Sequence, residues 1–199
     1  MFQTTIWEVV HAAGDGDSAA LAKIAEEYRA PILAFIRGRG IDPARAEDLC
    51  QDVFVRLLTG EVLAKADPDR GRFRSLLCTV TIRVLQDWNR RHRGEAPLDE
   101  LDPAGPVPSF DRLWTLHLVE RAFAELRRTS PVSAEVLREH LQGGQPHRNK
   151  LWIARKKLAA LVRQQVALTC RTPAELEEEL ASLAPYLRPG RKERPDREE

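Results

Sequence analysis

The chain has 199 residues, of which 43% are hydrophobic and 31% charged, and its formal net charge is +1. That length suits one large or two small globular domains, and the near-zero net charge hides strong local asymmetry. No stretch approaches the roughly 20 apolar residues that span a bilayer, and the opening MFQTTIWEVV lacks the basic segment of a secretory signal, so a cytoplasmic protein with no membrane partner is expected.

In chain order, almost every segment repeats its apolar residues at helical spacing and none alternates over any length, which predicts an all-α protein. Ile6, Val9, Val10 and Ala13 form the stripe of a first helix. GDGD ends it, and Asp17 or Ser18 can cap a second helix with Leu21, Ile24, Ala25 and Tyr28 inward. Pro31 is expected to interrupt or kink this helix before Ile32, Phe35 and Ile36. Asp42 and Pro43 supply a cap and a tolerated first-turn proline for a third helix. Ala46, Leu49, Cys50, Val53, Phe54 and Leu57 make its buried face.

DPDRG, residues 67 to 71, is turn chemistry. A fourth helix is predicted from about Arg72 to Arg91, with Phe73, Leu76, Leu77, Val80, Val84 and Trp88 inward. Residues 94–109 hold Pro97, Pro103, Pro106 and Pro108 and read as a linker. The chain therefore divides into a unit 1–93, the linker 94–109, a helical unit 110–187 and a polar tail 188–199 expected to be disordered. The second unit opens with Phe110, Leu113, Leu116, Val119, Phe123 and Leu126 in helical register. A short helix around Val136 to Leu141 and a basic helix from about His147 to Leu168 follow. Thr172, Pro173 and Glu175 match a capping box that starts a last helix edged by Leu176, Leu180, Leu183 and Leu187.

Three features could carry function. With the third helix's apolar face assigned, Glu47, Asp48, Gln51, Asp52 and Val55 point outward, and the last four form one polar patch with an aliphatic centre. A purely solvated face has the same pattern. Around the fourth helix, Arg70, Arg72, Arg74, Arg83, Arg90, Arg91 and Arg93 are opposed only by Asp87, with Trp88 and Asn89 beside them. Guanidinium groups pair with phosphates, an indole can stack on a base, and asparagine can bond a base edge; Trp88 also has the spacing of a core residue. Arg148, Lys150, Arg155, Lys156, Lys157 and Arg163 form a second basic run with no acid between its ends. It could lie on DNA phosphates or face solvent with its acids supplied by Glu175 to Glu179.

Catalysis has no comparable signal. P-loop, GxSxG and HExxH motifs are absent, the five histidines form no ligand cluster, and Cys50, Cys78 and Cys170 are widely spaced. No enzyme activity, metal or cofactor is expected, and the thiols should be reduced.

AEDLCQDVFVRLL (Ala46 to Leu58) resembles the region-two motif of extracytoplasmic-function (ECF) sigma factors, AEDxxQExFxxLW. GRFRSLLCTVTIRVLQDWNRRHR (Gly71 to Arg93) resembles the part that follows it, and YRAPILAFIRGRG (Tyr28 to Gly40) is similar to the preceding helix. The resemblance implies a bacterial RNA polymerase subunit that recognises promoters, melts DNA and directs transcription initiation. It implies that Asp48 and Gln51, with Asp52 and Val55 around them, bind the β′ clamp helices of the core enzyme. It assigns −10 element and non-template-strand contacts to Arg72, Arg74, Asn89, Arg90, Arg91 and Arg93, which Arg83 and Trp88 of the same basic helix join as DNA-contact candidates.

Phe110 to Arg128 and the segment IARKKLAALVRQQV resemble parts of region four, with the first helix of its helix-turn-helix largely deleted. Arg148, Lys150, Arg155 and Lys156 are the DNA-contact candidates there, while −35 reading and an anti-sigma partner stay open. Two other readings also stay open: a degenerate sigma-like regulator that binds polymerase or DNA without initiating, and a helical protein-interaction module.

Overall fold

A computed structural model describes residues 6–59, 62–92 and 109–187. The local start signals operate as expected. Asp17 Oδ1 accepts from the amides of Ala19 and Ala20 at 2.8 and 3.2 Å, opening α2 (Ser18–Arg37) after α1 (Ile6–Gly14). Asp42 Oδ1 accepts from the Arg45 amide at 3.0 Å ahead of α3 (Pro43–Thr59). Asp67 caps a 3-10 turn, Pro68–Arg70, that Gly71 closes at φ +136°, a conformation glycine adopts without a Cβ penalty. That turn sets Arg72 in extended backbone immediately before α4 (Phe73–Arg91).

The second half contributes α5 (Phe110–Thr129), α6 (Pro131–Leu141), α7 (Arg148–Ala167) and α8 (Pro173–Leu187). Among the described residues the protein is all-helical. The linker up to residue 108, the 188–199 tail and Arg93 lie outside the described residues.

Three local expectations change. α2 runs unbroken through Pro31, because Tyr28, Pro31, Ile32, Leu33, Phe35 and Ile36 are all buried; packing on both sides of the proline outweighs its lost amide bond. α6 begins at Pro131, five residues before the apolar run, and only Ser130 separates it from α5. On α5 the deepest row is Phe110, Trp114, Leu118, Ala122 and Leu126, whereas Leu116 is exposed. Leu113, Val119 and Phe123 are half-buried on neighbouring sides, because this helix serves two sets of neighbours.

One of those neighbours is the first half of the chain. Tyr28 is 1% exposed and stacks on Trp114, with ring centroids 4.6 Å apart and planes at 7°. Its other side meets Phe73 edge-on at 5.3 Å, and Trp7 meets Phe73 at 5.9 Å. Phe35 meets Phe110 in the same edge-on manner. Aromatic pairs in these geometries add about 0.5–1.5 kcal/mol each beyond simple burial. Burial first, then the nearby Glu179 carboxylate, push the Tyr28 phenol well above its ordinary range.

A continuous apolar core thus runs from α1–α4 into α5, the end of α7 and Leu183 of α8. A second, smaller cluster belongs to the other unit: Leu126, Ala134, Val136, Leu137 and Ala154 hold α5, α6 and α7 together.

Candidate functional site

The outer face of α3 follows from its inner one. Ala46, Leu49, Cys50, Val53 and Leu57 are buried, so residues one helical step away must face out. Asp48, Gln51, Asp52 and Val55 are all exposed, Val55 at 54%. Leu58, three residues on, is also exposed and lengthens the aliphatic centre. Spacing could have placed Leu58 there, but its position in the apolar pair Leu57–Leu58 masks it. Asp48 and Asp52 pair with no base among the described residues. Glu47 differs: its carboxylate takes Arg29, and Arg37 at 3.1 Å, so it fastens α3 to α2 rather than joining the outer patch. The patch holds two carboxylates and an amide around two aliphatic side chains.

At the start of α4 the arginines divide. Arg74 is 4% exposed. Its Nε donates to Asp111 of α5 at 2.8 Å, Nη1 pairs with Glu179 of α8, and Nη2 donates to Ser182 at 3.3 Å. Burial disfavours the charged guanidinium, yet the hydrogen bond it donates to Asp111 and the charge of Glu179 more than offset it, so Arg74 holds its proton above the ordinary range.

Arg72 is exposed but also engaged: Nε lies 2.5 Å from Glu179 Oε2, a charge contact outside hydrogen-bond alignment. Its Nη2 reaches the Glu178 carbonyl at 3.4 Å. Arg171 extends the join, reaching Asp69 at 3.0 Å while also holding Glu175. A cavity of about 470 Å³ lies between this loop and α8, lined by Arg70, Arg72, Arg74, Glu175, Glu178 and Glu179 among others. The expectation that Arg74 presents its guanidinium outward does not hold in this conformation, because three side chains of α5 and α8 surround it.

The far end of α4 is more open. Arg83, Arg90 and Arg91 are exposed and Asn89 is half-buried. Arg90 pairs with Asp87, which Arg56 of α3 also holds. The Arg56 and then the Arg90 hydrogen bonds keep the Asp87 carboxyl below its usual range. Arg83 and Arg91 pair with no acid among the described residues. Trp88 is half-buried against the core and stacks on His92 at 5.3 Å, with its indole Nε1 unpartnered among the described residues.

On α7, Arg148, Lys150, Arg155 and Lys156 are all exposed. Arg155 contacts His140 at 2.9 Å, and Lys156 lies 4.2 Å above the Trp152 ring. Trp152 is 57% exposed, an aromatic on a basic face that sequence inspection passed over. Its place two residues before the buried Ala154 is the signal that marks it. Of the acids on α8, only Glu177 reaches this helix, pairing with Arg163. Glu179 serves α4 instead.

Burial raises all three thiols, Cys50 to about 11, which suits packed residues rather than nucleophiles. Among the described residues no group of three or more His, Cys, Asp or Glu could hold a metal, and no helix is long and apolar enough to cross a membrane.

Residues 24–95 match the family model described as Sigma-70 region 2. The matched stretch takes in most of α2 and all of α3 and α4, and so both the α3 patch and the α4 arginines. It supports a sigma-factor assignment for this part of the chain, with core RNA polymerase and promoter DNA as the corresponding partners. Comparison with curated proteins and with solved structures gave no match.

Proposed function

We propose that this protein is an ECF-type sigma factor that binds core RNA polymerase through α3 and takes part in promoter recognition and melting through α4. One observation carries the reading. Within the stretch matching region two, Asp48, Gln51, Asp52 and Val55 stand exposed on a helix whose opposite face is entirely core. Among the described residues nothing packs on this face, and its mix of acids, an amide and aliphatic side chains suits a protein partner with basic and apolar residues. The β′ clamp helices are the partner this reading assigns.

Arg83, Asn89, Arg90 and Arg91, beside Trp88, supply cationic and aromatic groups of the kind that hold a single strand. Arg93 would extend that series. Arg72 and Arg74 belong to it once released from α8. Arg148, Lys150, Arg155 and Lys156 on α7 give a second cationic surface for duplex phosphates. The proposed units are 1–93 for polymerase and the −10 element, a 94–109 tether, and a region-four-like unit at 110–187.

Run-off transcription with core polymerase on fragmented genomic DNA tests the proposal. Discrete transcripts that require the protein are expected, and none from any promoter would refute it. A second reading, a sigma-like regulator that binds without initiating, draws on Arg72 and Arg74 being held by α8. Tight polymerase binding with no transcript would select it.

A further inference from the structure

The acidic helix at the end of the described chain uses its most buried acid in an unexpected place. Glu179 is 5% exposed, although a lone charge in an apolar interface is costly. Its partners are Arg72 and Arg74, and Asp111 and Ser182 complete the shell around Arg74. The carboxylate takes a charge-assisted hydrogen bond from Arg74 and a charge contact from Arg72, the two cations that a phosphate diester would engage there. With Glu179 in place, no phosphate can reach Arg74.

We infer that α8 is an intramolecular latch, in which Glu179 occupies the phosphate position of a nucleic-acid site built from Arg72 and Arg74. The inference rests on the DNA-binding reading of α4 proposed above. The latch is composite. Leu183 is 1% exposed and packs into the shared core, so release moves an apolar anchor as well as an ion pair. Arg171 braces it by joining the 3-10 turn at Asp69 to Glu175.

The short segment 168–172 between α7 and α8 is where the helix would swing, since α8 has no other covalent tie among the described residues. The α3 patch is exposed while the latch is closed. Polymerase docking and DNA access at Arg72 and Arg74 are therefore separable, and the closed form can dock.

The test uses the full chain and a labelled single-stranded oligodeoxynucleotide, read by fluorescence anisotropy with and without core polymerase. Glu179→Gln should tighten DNA binding about tenfold if the open form is about a tenth of the population, and leave polymerase affinity unchanged. Arg72→Ala added to Glu179→Gln should remove that gain. Glu135→Gln, the same charge change on α6 against the exposed Arg138, should leave DNA binding as it is. Should Glu179→Gln lose helicity, Arg171→Ala decides: it removes the brace between Asp69 and α8 but keeps the Glu179–Arg74 pair of the closed form, so only part of the population opens and a smaller gain of about threefold is expected.

Equal DNA affinity for the wild-type and unlatched chains, each dependent on Arg72, would overturn the latch and leave the proposed function standing. An equal gain from Glu135→Gln would reduce the effect to net charge and also overturn it. No DNA binding by any variant, even with polymerase present, would refute the DNA reading of α4 and the latch with it.

Discussion

The outer face of α3 and the leading turn of α4 both present charged side chains within the region-two match, but the protein treats them oppositely. On α3, Asp48, Gln51, Asp52 and Val55 stand exposed, with no ionic partner among the described residues. On α4, Arg72 and Arg74 are fastened to residues of α5 and α8. A charge left unpaired on an ordered helix costs the fold nothing and stays available to a partner. A charge buried in a network is part of the fold until that network opens. The same contrast recurs within α4, where Arg83 and Arg91 are free among the described residues while Arg74 is enclosed.

Stability measurements should separate the two regions most sharply. Arg74→Ala leaves Glu179 buried with only the partly exposed Arg72 beside it, and removing one partner of a buried pair typically costs about 3–5 kcal/mol. A large drop in unfolding midpoint in denaturant is expected. Gln51→Ala on α3, by contrast, should change stability by no more than about 0.5 kcal/mol. Similar costs at both positions would erase the distinction.

Function should divide along α4 as well. Arg90→Ala combined with Arg91→Ala is expected to leave polymerase binding intact and abolish open-complex formation, as read by permanganate footprinting. Loss of both together would mean that this end is structural too.

A smaller effect concerns the helix that supplies Asp111. His117 of α5 sits 5.9 Å from Trp114, and burial, against the opposing charge of Glu120, lowers its pKa below the ordinary 6.5. The unfolded chain therefore takes up a proton more readily than the folded one as pH falls through that value. Stability should decline as pH falls below about 6.5, and His117→Gln should flatten that decline in thermal melts between pH 7 and 5.

The contrast between the regions also explains what could be read from sequence. The α3 patch was legible because it depends only on a local period: once Ala46, Leu49, Cys50, Val53 and Leu57 define the inside, the outside follows. The caps at Asp17, Asp42 and Thr172 are likewise local. Arg74 was not legible as a buried residue, because its acids lie 37 and 105 residues away. Arginine next to the apolar Phe73 looks the same in either setting. The Tyr28–Trp114 stack that joins the halves was hidden for the same reason, each ring being one apolar position on its own helix. The start of α6 carries a local signal, Ser130 followed by Pro131, but its first turn lies ahead of the apolar run that marks the helix from Val136 onward.

The outer face of α3 is proposed above as a polymerase-docking surface. Its most direct measurement is core RNA polymerase affinity for the wild-type chain and for Asp48→Arg, with helicity monitored in parallel. A charge reversal on a face exposed among the described residues should leave helicity unchanged and abolish polymerase binding. Unaltered affinity with intact helicity would contradict the account.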